Sequence, residues 1–485
     1  MNRPRRQASN PVAFLLFVAA FPAVVLFGAW RITSSQDDSA PPAPDAVAEL
    51  PAERPQSPVL TFRRTPAVLA RETSSTAFES ALRPLGGAVL PGSCAAVSVD
   101  GVLALSDGID TAVTPASTLK LIVGAVALQV LGPDHVFTTE VKAELVNGAV
   151  GSLYLVGGGD PLLAAAWYPD DVALNKFPQQ PATSLEALAQ AVVDAGVRQI
   201  GGNLVGDASR YDNELYAPTW PITFRASQGG PIAGLVANDA AVYSTRTKTT
   251  DPAAGAAQEL LRLLQERGVT IAGSTTSGAT PAGLPVVASV SSAPLIQIVG
   301  EMLRNSDNNT AEMLLKEIGY ASRQSGTRAA GITTVVETLA TWGVDTNGFV
   351  MVDGSGLSSE NKVTCATFLS LLNRYAPGDP LVSAMAVAGQ TGTLASYFDG
   401  TTLENRLIGK TGSLSDVKGL VGFVPVDGGS VIRFVLLLAA PGIDDDGAFR
   451  PIWEGLLGSA LADYPSGPTV DELVPAPTAP NASSG

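Results

Sequence analysis

The chain has 485 residues, enough for two or three folded domains, because one hydrophobic core rarely extends beyond about 250 to 300 residues. Hydrophobic residues make up 46% and charged residues 15%, a balance that predicts folded structure through most of the chain. The formal net charge of -15 opposes nucleic-acid binding, since polyanion binders present a cationic face. We therefore expect no nucleic-acid partner.

Composition also restricts the chemistry open to an active site. The single histidine, His135, follows the turn-like segment Gly132-Pro133-Asp134, so we do not expect a catalytic imidazole. Cys94 and Cys365 are far apart and lack the close spacing of a zinc site or a redox pair. We predict neither a metal nor an organic cofactor. The two cysteines form one disulfide in an oxidising compartment or remain two buried thiols.

The N-terminal part predicts a membrane anchor. Three arginines in residues 1–10 precede an apolar stretch over 11–31, which as a helix would span roughly 30 Å, the thickness of a bilayer core. Positive charge before the stretch favours a cytoplasmic tail and an extracytoplasmic remainder. A cleaved signal peptide is the alternative, but no small-x-small site follows the stretch. Residues 32–60, rich in Pro and Ala, predict a linker, and residues 465–485 a disordered tail.

Between these ends the patterns predict helices packed on an antiparallel sheet, with a second module inserted in sequence. Residues 61–136 and 286–464 form the predicted main domain, and residues 137–285 a mixed α/β module. The fold class is therefore α+β, arranged as an α/β/α sandwich. The predicted elements of the main domain are a strand at 94–99, a helix after Pro115, helices at 293–304 and 310–320, a hairpin at 420–426 and 430–440, and a last helix at 449–464.

The helix after Pro115 opens with a pair suited to nucleophilic catalysis. A serine hydroxyl is a poor nucleophile until a base removes its proton, and Lys120, three positions after Ser117, would face it across one helical turn. The same spacing recurs at Ser359-x-x-Lys362 and Ser415-x-x-Lys418. Neither of those pairs opens an apolar helix, and we interpret both as polar loop residues.

Two further motifs follow in order. Ser306-Asp307-Asn308 falls in a short loop between two apolar helices, and Lys410-Thr411-Gly412 lies on a predicted strand. A second Ser-x-Asn at residues 359–361 has no such context. Ser-x-x-Lys, Ser-Asp-Asn and Lys-Thr-Gly in this order are the signature of penicillin-binding proteins and class A β-lactamases. The order and context of all three predict a serine acyl-transfer site.

With further segments included, the chain from about residue 65 to 462 resembles one family closely. Residues 155–161 (LVGGGDP), 306–312 (SDNNTAE) and 352–358 (VDGSGLS) are similar to segments of D-alanyl-D-alanine carboxypeptidase/endopeptidases, the low-molecular-mass class C penicillin-binding proteins. The resemblance implies a penicillin-binding-protein/β-lactamase-like transpeptidase domain, peptidoglycan stem peptides as substrates and β-lactam antibiotics as covalent inhibitors. Position 413 is Ser where this family commonly has Thr, which retains the hydroxyl.

The resemblance also implies a role for each motif residue. Ser117 would be acylated by the carbonyl between two D-alanines, while Lys120 accepts its proton. Ser306 and Asn308 would relay protons and hold the substrate, and Lys410 would supply positive potential. The substrate-binding residues would be Thr411, Gly412 and Ser413, the two hydroxyls binding the terminal carboxylate and the N–H groups of Ser117 and Ser413 forming the oxyanion hole.

Two rival functions remain at this point. A β-lactamase shares the three motifs but needs rapid hydrolysis of the acyl-enzyme, which class A enzymes assign to a glutamate. The Glu-x-x-x-Asn segment of this chain, Glu301 to Asn305, runs directly into Ser306, and we interpret it as a helix end. A non-catalytic wall-binding scaffold on the same fold is the other rival. The sequence leaves open the balance between trimming stem peptides and cutting cross-links.

Overall fold

The computed structural model describes residues 65–426 and 429–465, together with Leu26 and Arg31. The chain divides into a unit over residues 1–65 and a unit over residues 66–485, and the fold described below is that of the second. The predicted basic tail, anchor and linker lie outside the described residues, apart from Leu26 and Arg31. So does the predicted C-terminal tail beyond residue 465. Among the helices that the structure describes, none has the length and apolar character needed to cross a bilayer.

The helices include those predicted for the main domain and several that the sequence did not predict. In chain order they are α1 (Thr65–Ala88), α2 (Lys120–Leu131), α3 (Leu185–Asp194), α4 (Phe224–Ser227), α5 (Pro252–Glu266), α6 (Leu295–Asn305), α7 (Asn308–Arg323), α8 (Arg328–Thr341), α9 (Cys365–Leu372), α10 (Pro380–Ser383), α11 (Asp446–Arg450) and α12 (Ser459–Ala462). A π-helical stretch, Pro451–Gly458, joins the last two, and 3-10 turns occur at Ala116–Leu119, Asn238–Ala240 and Gly392–Leu394.

In the part of the chain that the structure describes, the strands form two larger sheets and two small ones. In chain order they are β1 (Cys94–Val99), β2 (Val102–Asp107), β3 (Thr138–Lys142), β4 (Leu145–Val146), β5 (Ala149–Val150), β6 (Leu153–Val156), β7 (Leu163–Ala164), β8 (Thr183–Ser184), β9 (Gln199–Ile200), β10 (Leu204–Asp207), β11 (Thr270–Ile271), β12 (Thr275–Ser277), β13 (Val286–Ser291), β14 (Ala386–Val387), β15 (Ile408–Leu414), β16 (Val417–Pro425) and β17 (Val431–Ala439).

The six-stranded sheet has the order β14-β15-β16-β17-β1-β2 and is antiparallel throughout. Helices cover both of its faces, because its central strands carry apolar side chains on both sides. Successive residues of a strand point to opposite faces. Cys94 and Ala96 thus pack with α2 and α6 to α9, whereas Ala95 and Val97 pack with α1 and the C-terminal helices. The main domain is therefore a three-layered α+β structure.

A disulfide ties the sheet to one of its helical layers. Cys94 on β1 and Cys365 at the first position of α9 are bonded, with their Cα atoms 6.0 Å apart. Both residues are fully buried in the core that contains α2. Of the two states that the sequence left open, the structure contains the bridge.

The module between β3 and β13 has a core of its own. Its five-stranded mixed sheet, in the order β12-β10-β6-β3-β13, is covered by α3 and α5. Strand β13 pairs with β3 along residues 286–291, so the sheet of the module continues beyond the boundary predicted at residue 285. The chain then enters α6, which leads directly to the second motif.

Candidate active site

The hydroxyl of Ser117 lies at the entrance to a buried helix. Pro115 precedes the 3-10 turn over Ala116–Leu119, and α2 follows directly. Proline suits this start because the first N–H groups of a helix have no partner within it. The first eight residues of α2, 120–127, are all buried. Packing of this apolar helix therefore fixes the turn that carries Ser117.

The amine of Lys120 is fully buried and surrounded by three oxygen atoms. Its Nζ lies 2.8 Å from Ser117 Oγ, 2.7 Å from Asn308 Oδ1 and 2.6 Å from the Ser355 carbonyl oxygen. Burial lowers the pKa of Lys120 to about 8, against the opposing effect of nearby carboxylates, chiefly Asp307. At pH 7 about a tenth of the molecules therefore hold a neutral amine within hydrogen-bond reach of the serine.

The second motif lies where α6 ends and α7 begins. Ser306 has a left-handed backbone, with φ of 64°, and closes α6. Asp307 is the N-cap of α7, since its Oδ1 accepts a hydrogen bond of 2.5 Å from Thr310 N. Asn308 is already the first residue of α7, so the loop is shorter than predicted. Its Nδ2 donates to the Gln228 carbonyl at 2.6 Å, which orients its Oδ1 towards Lys120.

The third motif brings a second buried lysine to the same place. Lys410 on β15 donates to Ser306 Oγ at 3.0 Å and to the Thr411 carbonyl at 2.8 Å. Burial and the nearby charge of Lys120 lower the pKa of Lys410 well below its usual value. The charge of Lys120 thus disfavours a second charge on Lys410. A carboxylate arriving beside Lys410 would favour the charged form of that amine.

Glycine at position 412 allows the strand to approach the nucleophile. A Cβ on Gly412 would lie 2.7 Å from the Pro115 carbonyl oxygen and 3.1 Å from Thr118 N. Strand β15 therefore packs directly on the turn that carries Ser117. Alternation along the strand places Thr411 and Ser413 on the face opposite to Gly412. Thr411 donates to Thr393 Oγ1 at 2.8 Å, and Ser413 is exposed.

Behind Lys120 lies a buried layer in which the sequence predicted no site residue. Glu312 Oε1 accepts hydrogen bonds of 2.8 Å from the N–H groups of Gly354 and Ser355, and so fixes the Ser355 carbonyl that contacts Lys120. Gly356 has φ of +81°, and a Cβ there would lie only 1.9 Å from the Ala116 carbonyl oxygen. The glycines within residues 352–358 are the sequence signal for this close approach.

An open cleft of about 580 Å³ lies over these groups. It is lined by Ser117, Ser306, Asn308, Thr411 and Ser413, whereas Lys120 and Lys410 are buried beneath its floor. The structure thus brings the three predicted motifs together at one cleft. Three segments that are distant in sequence converge there.

Glu301 lies in the wall of the same cleft, within α6. Its Oε1 accepts a hydrogen bond of 3.2 Å from Asn305 Nδ2, and burial together with the charge of Asp307 raises the pKa of Glu301 well above its usual value. Burial thus disfavours the charged carboxylate that a general base for water requires.

One interpretation of the repeated Ser-x-x-Lys spacing is wrong. Lys418 is not a loop residue, because it lies in strand β16 with only 7% of its surface exposed. Its side chain lies against aromatic rings of the C-terminal helices, which cover this face of the sheet. Lys362, by contrast, lies outside helices and strands and donates to Thr114 Oγ1 at 2.7 Å.

Comparison with known proteins supports the same assignment. The sequence model of the D-Ala-D-Ala carboxypeptidase 3 (S13) family matches residues 90–223 and 229–450. The D-alanyl-D-alanine carboxypeptidase of Actinomadura sp. (strain R39) is 32% identical over 396 residues, covering 64% of this chain and 70% of that protein. Carboxypeptidase DacB of Mycolicibacterium smegmatis is 29% identical over 458 residues, covering 90% and 94%.

Among solved structures, penicillin binding protein 4 (dacB) from Haemophilus influenzae superimposes with a TM-score of 0.65 at 19% identity. The match covers 78% of this chain and 98% of that one, which shows a shared mixed α and β fold. With a family match over most of the chain, the resemblance drawn from the motifs is confirmed. The chain belongs to the D-Ala-D-Ala carboxypeptidase 3 (S13) family and is a low-molecular-mass class C penicillin-binding protein.

Proposed function

We propose that this protein is a serine-type D-Ala-D-Ala carboxypeptidase that trims peptidoglycan stem peptides through an acyl-enzyme on Ser117. The observation that carries the proposal is the distance of 2.8 Å between Lys120 Nζ and Ser117 Oγ, at the floor of a cleft edged by β15. Serine with an adjacent amine of lowered pKa is an activated nucleophile. The family membership supplies the substrate class.

Acylation begins when neutral Lys120 takes the hydroxyl proton as Ser117 Oγ bonds to the carbonyl carbon between the two D-alanines. The N–H groups of Ser117 and Ser413 would hold the oxyanion, and one such donor is typically worth about 2.7 to 4 kcal/mol. The carbon–nitrogen bond then breaks, and the leaving amine takes a proton delivered through Ser306. D-alanine departs, and the shortened peptide stays bonded to Ser117 as an ester.

Deacylation uses water as the second nucleophile. Water adds to the ester carbonyl and gives up one proton, the bond to Ser117 Oγ breaks, and the serine regains a proton. Because β-lactams present an amide carbonyl to the same serine, they would acylate it by the same first step. A fused ring that stays attached after acylation would obstruct the water, so β-lactams should act as slow, covalent inhibitors.

The same acylation of Ser117 would cleave a cross-linked peptide as well as a free stem peptide. In both, a D-alanine carbonyl is attacked, and only the leaving amine differs. The cleft is open rather than closed, and part of its wall comes from residues 174–179 of the module. This room supports an additional endopeptidase activity on cross-linked peptides.

The proposed activity is tested by incubating the purified chain with diacetyl-L-Lys-D-Ala-D-Ala and measuring released D-alanine. The wild type should release D-alanine, and Ser117→Ala should release none while it retains the thermal unfolding temperature of the wild type. Rapid multiple turnover of nitrocefin without release of D-alanine would favour a β-lactamase instead. Absence of both activities, with no covalent labelling by penicillin, would favour a scaffold.

We further propose that the protein is a single-pass membrane protein with its catalytic domain outside the cytoplasm. The support is the sequence of residues 1–31, in which three arginines precede the apolar stretch. We also propose the two-part division of the chain, with the inserted module extended through β13 and the catalytic domain resuming at α6. Sedimentation of the full chain with membranes, lost on removal of residues 1–31, is the expected result.

A further inference from the structure

Lys418 lies directly opposite Ser413 in the sheet. Strands β15 and β16 pair in antiparallel register, with Ser413 against Lys418 and Thr411 against Leu420. Residues that face each other across a strand pair share one face of the sheet. The side chain of Lys418 therefore lies on the same face as the two hydroxyl groups of the proposed carboxylate site.

The ammonium of Lys418 rests on an aromatic platform. Its Nζ lies 3.8 Å from the ring centre of Phe449, 5.4 Å from that of Trp453 and 5.8 Å from that of Tyr397. Such rings stabilise a cation through their negative faces without neutralising its charge. The rings therefore favour the charged form of Lys418, whereas burial lowers its pKa from the usual value. The side chain lies behind Ser413, which lines the cleft.

Few protein groups compete for this ammonium. Its Nζ donates a long hydrogen bond of 3.4 Å to Ser413 Oγ, and in residues 65–426 and 429–465 no carboxylate forms an ion pair with it within 4.0 Å. Asp446, one of the acidic residues nearby, is engaged by Arg450 Nε at 3.0 Å. Since an ammonium has three N–H donors, the geometry leaves donors available for an anion.

We propose that Lys418 is a second cation for the free terminal carboxylate of the substrate, acting beside Thr411 and Ser413. This inference rests on the proposed carboxypeptidase function and names the group that gives the cleft its preference for a charged C-terminus. Lys410 has two of its three donors engaged, by Ser306 Oγ and the Thr411 carbonyl, so Lys418 would add to its effect.

Two effects of Lys418 act in the same direction. Its charge attracts the carboxylate, and its N–H donates to the oxygen of Ser413, which leaves the serine hydroxyl proton free to donate to the substrate. Hydrogen bonds in such a chain polarise one another. A terminal amide lacks the charge and accepts a weaker hydrogen bond from Ser413, so Lys418 should favour the carboxylate.

The test compares each enzyme on two substrates that differ only at the C-terminus, diacetyl-L-Lys-D-Ala-D-Ala and its C-terminal amide. For Lys418→Gln we expect kcat/KM to fall by about 10- to 100-fold on the acid, the range of a charge-assisted hydrogen bond, and to change less than about twofold on the amide. Lys418→Arg should restore most of the preference for the acid. Lys142→Gln, on β3 of the module, is the matched control.

A second measurement covers slow reactions. Acylation by benzylpenicillin and by its methyl ester is followed by intact mass, because the covalent adduct accumulates even when acylation is slow. The ratio of the two acylation rates does not depend on the amount of active enzyme. Asp444→Asn, at an exposed residue of the cleft wall, removes an opposing charge and should raise the acid-to-ester ratio. This variant keeps the test available if Lys418→Gln does not fold.

If kcat/KM of Lys418→Gln falls equally on the acid and on the amide, the inference is overturned and Lys418 has a packing role. An unchanged acid-to-ester ratio in Lys418→Gln, or in Asp444→Asn if Lys418→Gln does not fold, would overturn it as well. Failure of the wild type to release D-alanine or to be acylated would contradict the proposed function itself. The two failures are therefore distinguishable.

Discussion

The proton on Lys120 should control the rate of acylation. Burial places the pKa of Lys120 at about 8, so the neutral, proton-accepting fraction is about 1% at pH 6, about 10% at pH 7 and about 50% at pH 8. The direction is set by desolvation, which disfavours the charged amine. If Lys120 is the base, the acylation rate follows its neutral fraction. It should rise about fiftyfold from pH 6 to pH 8 and level off above pH 9.

Benzylpenicillin is a suitable reagent for this measurement, because its carboxylate stays ionised throughout this range and it carries no titrating amine. Second-order acylation rates are taken from intact mass at a series of pH values, with circular dichroism to verify that the fold is unchanged. Lys120→Arg is the control, since arginine keeps its charge in proteins and cannot accept the proton. It should slow acylation by about 10²- to 10⁴-fold and abolish the rising limb.

A rate that is flat between pH 6 and pH 8 in the wild type would refute the assignment of Lys120 as the base. A rising limb that survives in Lys120→Arg would refute it too, and would point to Lys410, whose pKa is also lowered by burial. Because the two amines interact, the profile reports the pair, and the variant separates their contributions.

Three further variants test the surroundings of the nucleophile and the core. Gly356→Ala places a Cβ 1.9 Å from the Ala116 carbonyl oxygen, so acylation should fall at least about tenfold; an unchanged rate would show that this approach is not needed. Asn308→Ala removes an acceptor of Lys120 and a donor to Gln228, and we expect penicillin acylation to slow about 10- to 100-fold with the unfolding temperature nearly kept. Replacing Cys94 and Cys365 by alanine should lower the free energy of unfolding by about 2–4 kcal/mol in denaturant titrations; an unchanged midpoint would contradict a stabilising bridge.

The residues of the site that could be predicted from the sequence are those marked by local patterns. Ser117 opens an apolar helix, Ser306 separates two apolar helices and Lys410 lies on a strand next to a hairpin. In each case hydrophobic periodicity identifies the element, and the polar residue at its edge identifies the site. The convergence of the three segments was predicted because their order matches a known signature. No property of a single segment indicates it.

The parts that sequence reasoning missed depend on contacts between distant segments. The Ser355 carbonyl contacts Lys120 only because Glu312, on another helix, holds its loop from behind. Lys418 was misassigned because a lysine near a turn ordinarily reaches solvent. Here the C-terminal helices cover that face of the sheet and present Phe449 to the ammonium, which no local pattern around residue 418 reveals.

The central claim is that Ser117 is the residue that becomes acylated. Intact mass after treatment with benzylpenicillin, followed by proteolysis and peptide mapping, tests it most directly. We expect one penicillin per chain, located on Ser117 and absent from Ser117→Ala. An adduct on a different residue, or equal labelling of Ser117→Ala, would contradict the proposed site.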